Sequence, residues 1–121
     1  MRPGYRRRGR VRHPEPVSRY AEAKPYAVPG SLSDLTGPVS GTVMLPRHID
    51  WGPDYLYDLA DESDLALLYE RVIREAQTPD DLVAFLDGAT LRRLWPRLIV
   101  PRPARARWEA RFEELTHQAV A

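Results

Sequence analysis

At 121 residues with no cysteine, the chain has room for one small domain and excludes a disulfide framework, thiolate catalysis and thiolate metal sites. No stretch reaches the ~20 apolar residues of a membrane span, and the basic start lacks the apolar core of a secretory signal, so the chain reads as cytoplasmic. The formal net charge of +1 conceals blocks of one sign, whose local fields choose partners in a way a near-zero total does not show.

Residues 1–28 carry eight basic and two acidic side chains, with Pro and Gly and almost no aliphatic residues. Such a stretch buries too little apolar surface to offset the entropy of ordering it, so a disordered basic tail is expected. Tyr5 and Tyr20 stand among Arg6, Arg7, Arg8, Arg10 and Arg12. Guanidinium groups contact phosphates and tyrosine rings stack on bases, so these seven are the tail's candidate nucleic-acid residues.

Residues 29–56 form a second region, in which Pro and Gly punctuate short apolar pieces. It reads as an extended arm lying on a helical body or on a partner. Val39 to Leu45 has strand-like composition but no evident pairing partner. The arm ends in Trp51-Gly52-Pro53-Asp54-Tyr55-Leu56-Tyr57, the densest group of interface-type aromatics in the chain.

A helical domain is expected over residues 57–116. Asp61 to Ala76 places Leu65, Leu68, Tyr69, Val72, Ile73 and Ala76 on one helical face, with Asp61 as N-cap and opposite-charge pairs Glu70–Arg74 and Arg71–Glu75 outside. Thr78-Pro79-Asp80-Asp81 has the grammar of a second helix start, with Leu82, Phe85 and Leu86 inward and Gly88 as a break. A third short helix from Ala89 to Trp95 is limited by Pro96. A fourth, from Ala104 to Leu115, presents Trp108, Phe112 and Leu115 on one side, and residues 117–121 are expected to fray. The fold class is therefore mainly α: a small bundle of about four short helices behind an extended Pro/Gly-rich arm.

No spacing names a reaction. His13, His48 and His117 fall in separate regions, and no metal-ligand spacing, phosphate loop or nucleophile elbow is present. The chain is expected to have no cofactor and not to be an enzyme. Thr78 to Leu98 fits a helix-turn-helix poorly, because Asp87 takes a position that should be buried and Pro96 interrupts the second helix.

Charge separates the candidate binding residues. Residues 50–81 hold ten acidic and two basic side chains, whereas residues 91–111 hold seven arginines against Glu109. Trp51, Asp54, Tyr55, Asp58, Asp61, Glu62 and Asp64 are the candidate partner-binding set. Arg92, Arg93 and Arg97 are candidates for phosphates, an acidic partner or the chain's own acidic block.

From about Ser40 to Phe112 the chain resembles small proteins of high-GC bacteria encoded beside nucleotidyltransferase-type abortive-infection toxins. The similar strings are Ser40-Gly41-Thr42-Val43-Met44-Leu45-Pro46, Tyr57-Asp58-Leu59, Leu68 to Ala76, Leu94-Trp95-Pro96-Arg97-Leu98 and Trp108-Glu109-Ala110-Arg111-Phe112. The resemblance implies an antitoxin or accessory role through protein–protein contact, and it carries over no functional residue. The leading expectation is a non-catalytic partner-binding protein whose acidic block enters the basic cleft of such a toxin. The alternative is a nucleic-acid-binding protein, a transcriptional regulator or RNA-associated factor, using the tail and the 91–111 block. Self-association would also supply burial that so small a core lacks.

The tail reading has a direct check in salt dependence. If about five of its arginines engage phosphates, log affinity for nucleic acid falls against log salt with a slope near −4. Replacing Arg6, Arg7 and Arg8 by alanine should cut that slope by roughly two to three, as read by a fluorescence titration at several salt concentrations.

Overall fold

A computed structural model of the chain describes residues 24–120. Its order is a 3-10 turn at Leu32–Asp34, strands β1 (Thr42–Val43) and β2 (Tyr57–Asp58), and helices α1 (Glu62–Glu75), α2 (Pro79–Phe85) and α3 (Gly88–Leu94). A 3-10 turn at Trp95–Arg97 leads on to α4 (Arg102–Arg111) and α5 (Glu113–Val120). The described residues are thus mainly helical with one two-stranded ladder, and among them no helix is long and apolar enough to cross a membrane.

Helix α1 forms as its periodicity dictates. Asp61 accepts from the Ser63 and Asp64 amides, and Leu65, Leu68, Tyr69, Val72 and Ile73 are buried along one stripe. The expected i,i+4 pairs do not form on its outer side. Glu70 Oε2 accepts from Ile99 N (2.7 Å), Arg71 faces Asp50 (3.8 Å), and Arg74 pairs with Glu75 (3.2 Å). Fixed tertiary partners outcompete a solvated helix pair, which contributes only about 0.2–0.5 kcal/mol.

The arm lies on its own body. Leu32, Leu35, Leu45 and Ile49 are all buried in the same core as the helices. Two glycines make the seam. Gly37 N donates to Leu86 O (2.7 Å) and Gly88 N donates to Leu35 O (3.1 Å), flanking an isolated bridge between Thr36 and Asp87. A Cβ at Gly37 would stand 2.5 Å from the Phe85 carbonyl carbon, and one at Gly88 would stand 2.4 Å from Leu32 O. From α1, Tyr69 Oη accepts from Asp87 N (2.8 Å), so the seam is tied to the central helix as well.

Four expectations are corrected here. Gly88 is the first residue of α3 rather than a break, because Asp87 caps the helix by accepting from Thr90 N and Thr90 Oγ1. The strand-like segment does have a partner: Thr42 pairs with Asp58 and Val43 with Tyr57 in antiparallel register. The fourth helix is two helices, turning at Phe112 (φ −126°, ψ 95°). That turn lets α5 fold back onto α3 and the Trp95–Arg97 turn, burying Leu115, and helix continues to Val120 where fraying was expected.

The fourth correction concerns the tail boundary. Residues 24–28 belong to the body: Tyr26 is buried, and Lys24 Nζ donates to Arg74 O (2.7 Å) and to Glu75 (3.2 Å). The lysine satisfies one carbonyl at the end of α1, where the helix dipole favours a cation. Residues 1–23 lie outside the described residues.

An aromatic cluster fills the C-terminal half. Trp95 and Trp108 are fully buried with ring centroids 5.9 Å apart, and Trp108 lies the same distance from Phe112. Trp95 Nε1 donates to Glu109 (2.9 Å), while Arg105 stacks over the Trp95 ring (4.6 Å) and donates to the Trp95 and Leu98 carbonyls.

The seam predicts a mutational cost. Gly88→Ala should destabilise by about 1–3 kcal/mol, because the methyl group must push the Leu32 carbonyl away. Urea unfolding should show the shift as a lower midpoint with an unchanged m-value.

Candidate functional site

The aromatic loop owes its shape to two carboxylates. Asp50 Oδ1 accepts from Gly52 N (3.2 Å) and Asp50 Oδ2 accepts from the Tyr57 hydroxyl (2.8 Å), so one side chain ties both ends of the loop. Asp64, on the first turn of α1, accepts from the Tyr55 hydroxyl (2.7 Å) and from Asp58 N (2.9 Å). The Tyr55 and Tyr57 rings meet edge to face at 4.8 Å. Tyr57 is buried, but Trp51 (60%), Tyr55 (47%) and Leu56 (55%) remain exposed.

Between this loop and the outer face of α1 runs a groove of about 440 Å³. Its loop side is Asp50, Pro53, Asp54, Tyr55 and Tyr57, and its helix side is Leu67, Glu70, Arg71 and Arg74. Leu67 is 54% exposed, and beyond Glu70 the exposed Ile99 is held by the hydrogen bond its backbone N–H donates to that glutamate. The groove therefore combines apolar and aromatic lining residues with charges of both signs.

Electrostatics reflect the clamps. The Tyr57 hydroxyl holds the Asp50 carboxyl below the ordinary range, against a smaller opposing effect of burial, with help from the Gly52 amide and Arg71. The Asp58 amide and the Tyr55 hydroxyl do the same for Asp64. Burial, followed by the hydrogen bond to Asp50, pushes the Tyr57 phenol up to about 12. The Tyr55 phenol is raised by its bond to Asp64, with further contributions from Asp61 and Asp58.

The sequence candidates divide into groups. Asp54 and Tyr55 line the groove, and Trp51 is exposed on the same loop. Asp58, Asp61 and Asp64 stand together at the start of α1, where each accepts backbone amides and so serves the fold. Glu62 does not join them: it pairs with Arg93 (2.9 Å) and Arg97 (3.5 Å), neutralising part of both blocks. Arg92 is exposed with no partner among the described residues, beside Ser31, Ser33 and Asp87 in a second cleft. Tyr5, Arg6, Arg7, Arg8, Arg10, Arg12 and Tyr20 lie outside the described residues.

Leu67, Arg71 and Arg74 were not among the candidates. Leu67 had a signal, being an apolar residue off the buried stripe of an amphipathic helix. The arginines had none, because only the arm's path brings the loop to them. His48 likewise meets Asp81 (2.9 Å) rather than its neighbour Asp50, tying the arm to the start of α2. Among the described residues, no group of three or more His, Asp or Glu side chains is placed to hold a metal ion.

Comparison with known protein families, curated proteins and solved structures finds no match to this chain.

The clamps set an acid limit on stability. Asp50 and Asp64 have depressed folded-state values, so their contribution is complete above the ordinary value of 3.8 and is lost as pH falls through the lower folded value. Tyr57→Phe removes the main hold on Asp50. The gap in melting temperature between wild type and this variant, followed by circular dichroism, should narrow as pH falls below 3.8.

Proposed function

We propose that this chain is a non-catalytic partner-binding protein that seats another protein on the groove between the aromatic loop and α1. The carrying observation is the exposure of Tyr55 beside Leu67 in the groove, with Trp51 exposed on the same loop, which Asp50 and Asp64 hold by hydrogen bonds. Large rings with few rotamers to freeze bind at low entropic cost, and holding them in place beforehand lowers it further. Isolated exposed apolar residues are ordinary, but several around one concavity mark an interaction surface.

The charge of the region supports a partner with a basic face. Asp58, Asp61 and Asp64 accept backbone amides at the start of α1, and with the exposed Asp54 they place four carboxylates near the loop that carries the rings. The partner we propose is the one the resemblance implies, a nucleotide-transferring toxin whose phosphate-binding cleft is basic, which makes this chain its antitoxin. A second reading, binding of nucleic acid, draws on Arg92, Arg102 and Arg107, which are exposed and have no partner among the described residues.

Co-purification with the product of the neighbouring gene tests the leading reading, and no complex at low salt would reject it. Within a complex, Trp51→Ala should cost about 2 kcal/mol, roughly a thirtyfold loss of affinity by calorimetry. Its effect on folding stability should stay within about 0.5 kcal/mol, because the ring is solvent-facing.

A further inference from the structure

We infer that the outer face of α4 is a docking surface for the phosphate backbone of duplex nucleic acid. The inference rests on the second reading above and gives it a surface, a class of ligand and a mode of contact.

Helix α4 turns its large apolar side chains inward. Ala104 and Trp108 are buried, as is Phe112 at its end. Arg105 and Glu109 pair with each other at 3.4 Å, and both reach the buried Trp95. At about 100° per residue, Pro103, Ala106 and Ala110 then fall along the middle of the opposite side. Arg102 stands on one flank of that strip, and Arg107 and Arg111 stand on the other. Both alanines and these three arginines are exposed.

A hollow of about 540 Å³ lies along the second flank, lined by Val28 of the arm and by Ala106, Arg107, Ala110 and Arg111. Arg111 holds the arm there by donating to Gly30 O (2.8 Å). The lining carries two cations and no carboxylate, whereas the groove beside α1 mixes both signs.

The cations of this face are uncommitted. Among the described residues, Arg92, Arg102, Arg107 and Arg111 are the arginines with no carboxylate within ion-pair distance. Three of these four belong to α4. The Gly30 carbonyl takes one Arg111 N–H without neutralising the group, which has further donors to offer. Glu113 and Glu114 follow beyond the turn at Phe112, and Asp34 Oδ2 lies 3.2 Å from where a Cβ on Gly30 would stand. These acids temper the Arg111 end, so Arg102 and Arg107 are the stronger cations.

The ligand follows from what the face presents. Protein interfaces are anchored by large apolar or aromatic side chains. The exposed large hydrophobics among the described residues all lie elsewhere, on the arm, its loop, α1 and the connector before α4. Single strands are held by stacking bases on exposed rings, but Trp108 and Phe112 face the core. What α4 offers is planar, bidentate cations beside a low alanine surface that permits close approach, which suits phosphate. Arg102 to Arg107 is five helical residues, about 7.5 Å, and Arg107 to Arg111 is four, about 6 Å. Each strand of a duplex carries one charge per about 3.4 Å of axis, so α4 meets phosphates at two or three points. Such contacts position the duplex without reading its sequence.

The test is the anisotropy of a fluorescently labelled duplex of about 20 base pairs, titrated with the full chain between about 50 and 200 mM salt. Arg102→Ser with Arg107→Ser, side chains with no partner to lose, should weaken binding about tenfold or more at the lowest salt and cut the log–log slope by about two. Ala106→Glu, which leaves every arginine in place, should weaken binding comparably, while Ala106→Gln should stay within about threefold of wild type. Scrambling the duplex sequence should change affinity by less than about twofold. An unchanged slope in the double α4 variant, with the loss appearing instead in Arg92→Ser, would leave nucleic-acid binding standing and reject this surface. No duplex binding at low salt would reject both. Tighter binding of a single strand than of the duplex would overturn the proposal. So would poly-glutamate binding as tightly as the duplex and being lost in the same variant, which would assign the face to an acidic protein.

Discussion

The close approach of backbone to backbone at Gly37 and Gly88 is the constraint on which the rest of the structure depends. Two amide–carbonyl bonds, Gly37 to Leu86 and Gly88 to Leu35, are possible only because neither glycine carries a Cβ. They bring the arm against the junction of α2 and α3, and Tyr69 adds a third tie from α1 by accepting the Asp87 amide. With the arm seated, Leu32, Leu35, Leu45 and Ile49 complete a core that five short helices would close poorly. Each such burial stabilises by about 1.5–3 kcal/mol relative to exposure. The loop that carries Trp51 is the continuation of that arm, so the site inherits its position from the seam.

The acidic block turns out to be two kinds of residue. Asp50, Asp61, Asp64 and Asp81 accept backbone or phenolic hydrogens and shape the loop and the helix starts. Glu62 instead joins the basic block through Arg93 and Arg97. A count of charges along the chain treats these alike, although the fold gives them different partners. Exposed pairs like those of Glu62 contribute ~0–1 kcal/mol, so their main effect is to remove charge from both fields.

Legibility in the sequence followed the range of the interactions. The cap, stripe and length of helix α1 were readable because they are local, and so was the start of α2 at Thr78-Pro79, whereas the partners of α1's outer charges were not. The turn at Phe112 was not, since no Gly or Pro marks it and its cause is the packing of α5 on α3. Gly88 was misread because glycine suits both a helix end and a close approach, and only the Leu32 carbonyl decides between them. In the site, the aromatic loop and Asp54 were evident from composition. The helix side of the groove was hidden, because Arg71 and Arg74 look like ordinary solvated residues until the loop is laid beside them.

The route of the arm has a consequence for how the chain acquires its structure. A bundle of short helices joined by tight turns is rich in local contacts and folds quickly. Here the ties that complete the core are distant in sequence: Lys24 to Arg74 closes 50 residues and Arg111 to Gly30 closes 81. Such closures must be formed before their contacts reward them, so the chain folds more slowly than its helix content suggests. On the ribosome the arm emerges before the helices, and its leucines and Ile49 have no bed until α2 and α3 follow. The Pro and Gly residues spaced through residues 29–53 keep that waiting segment from forming a long, sticky strand.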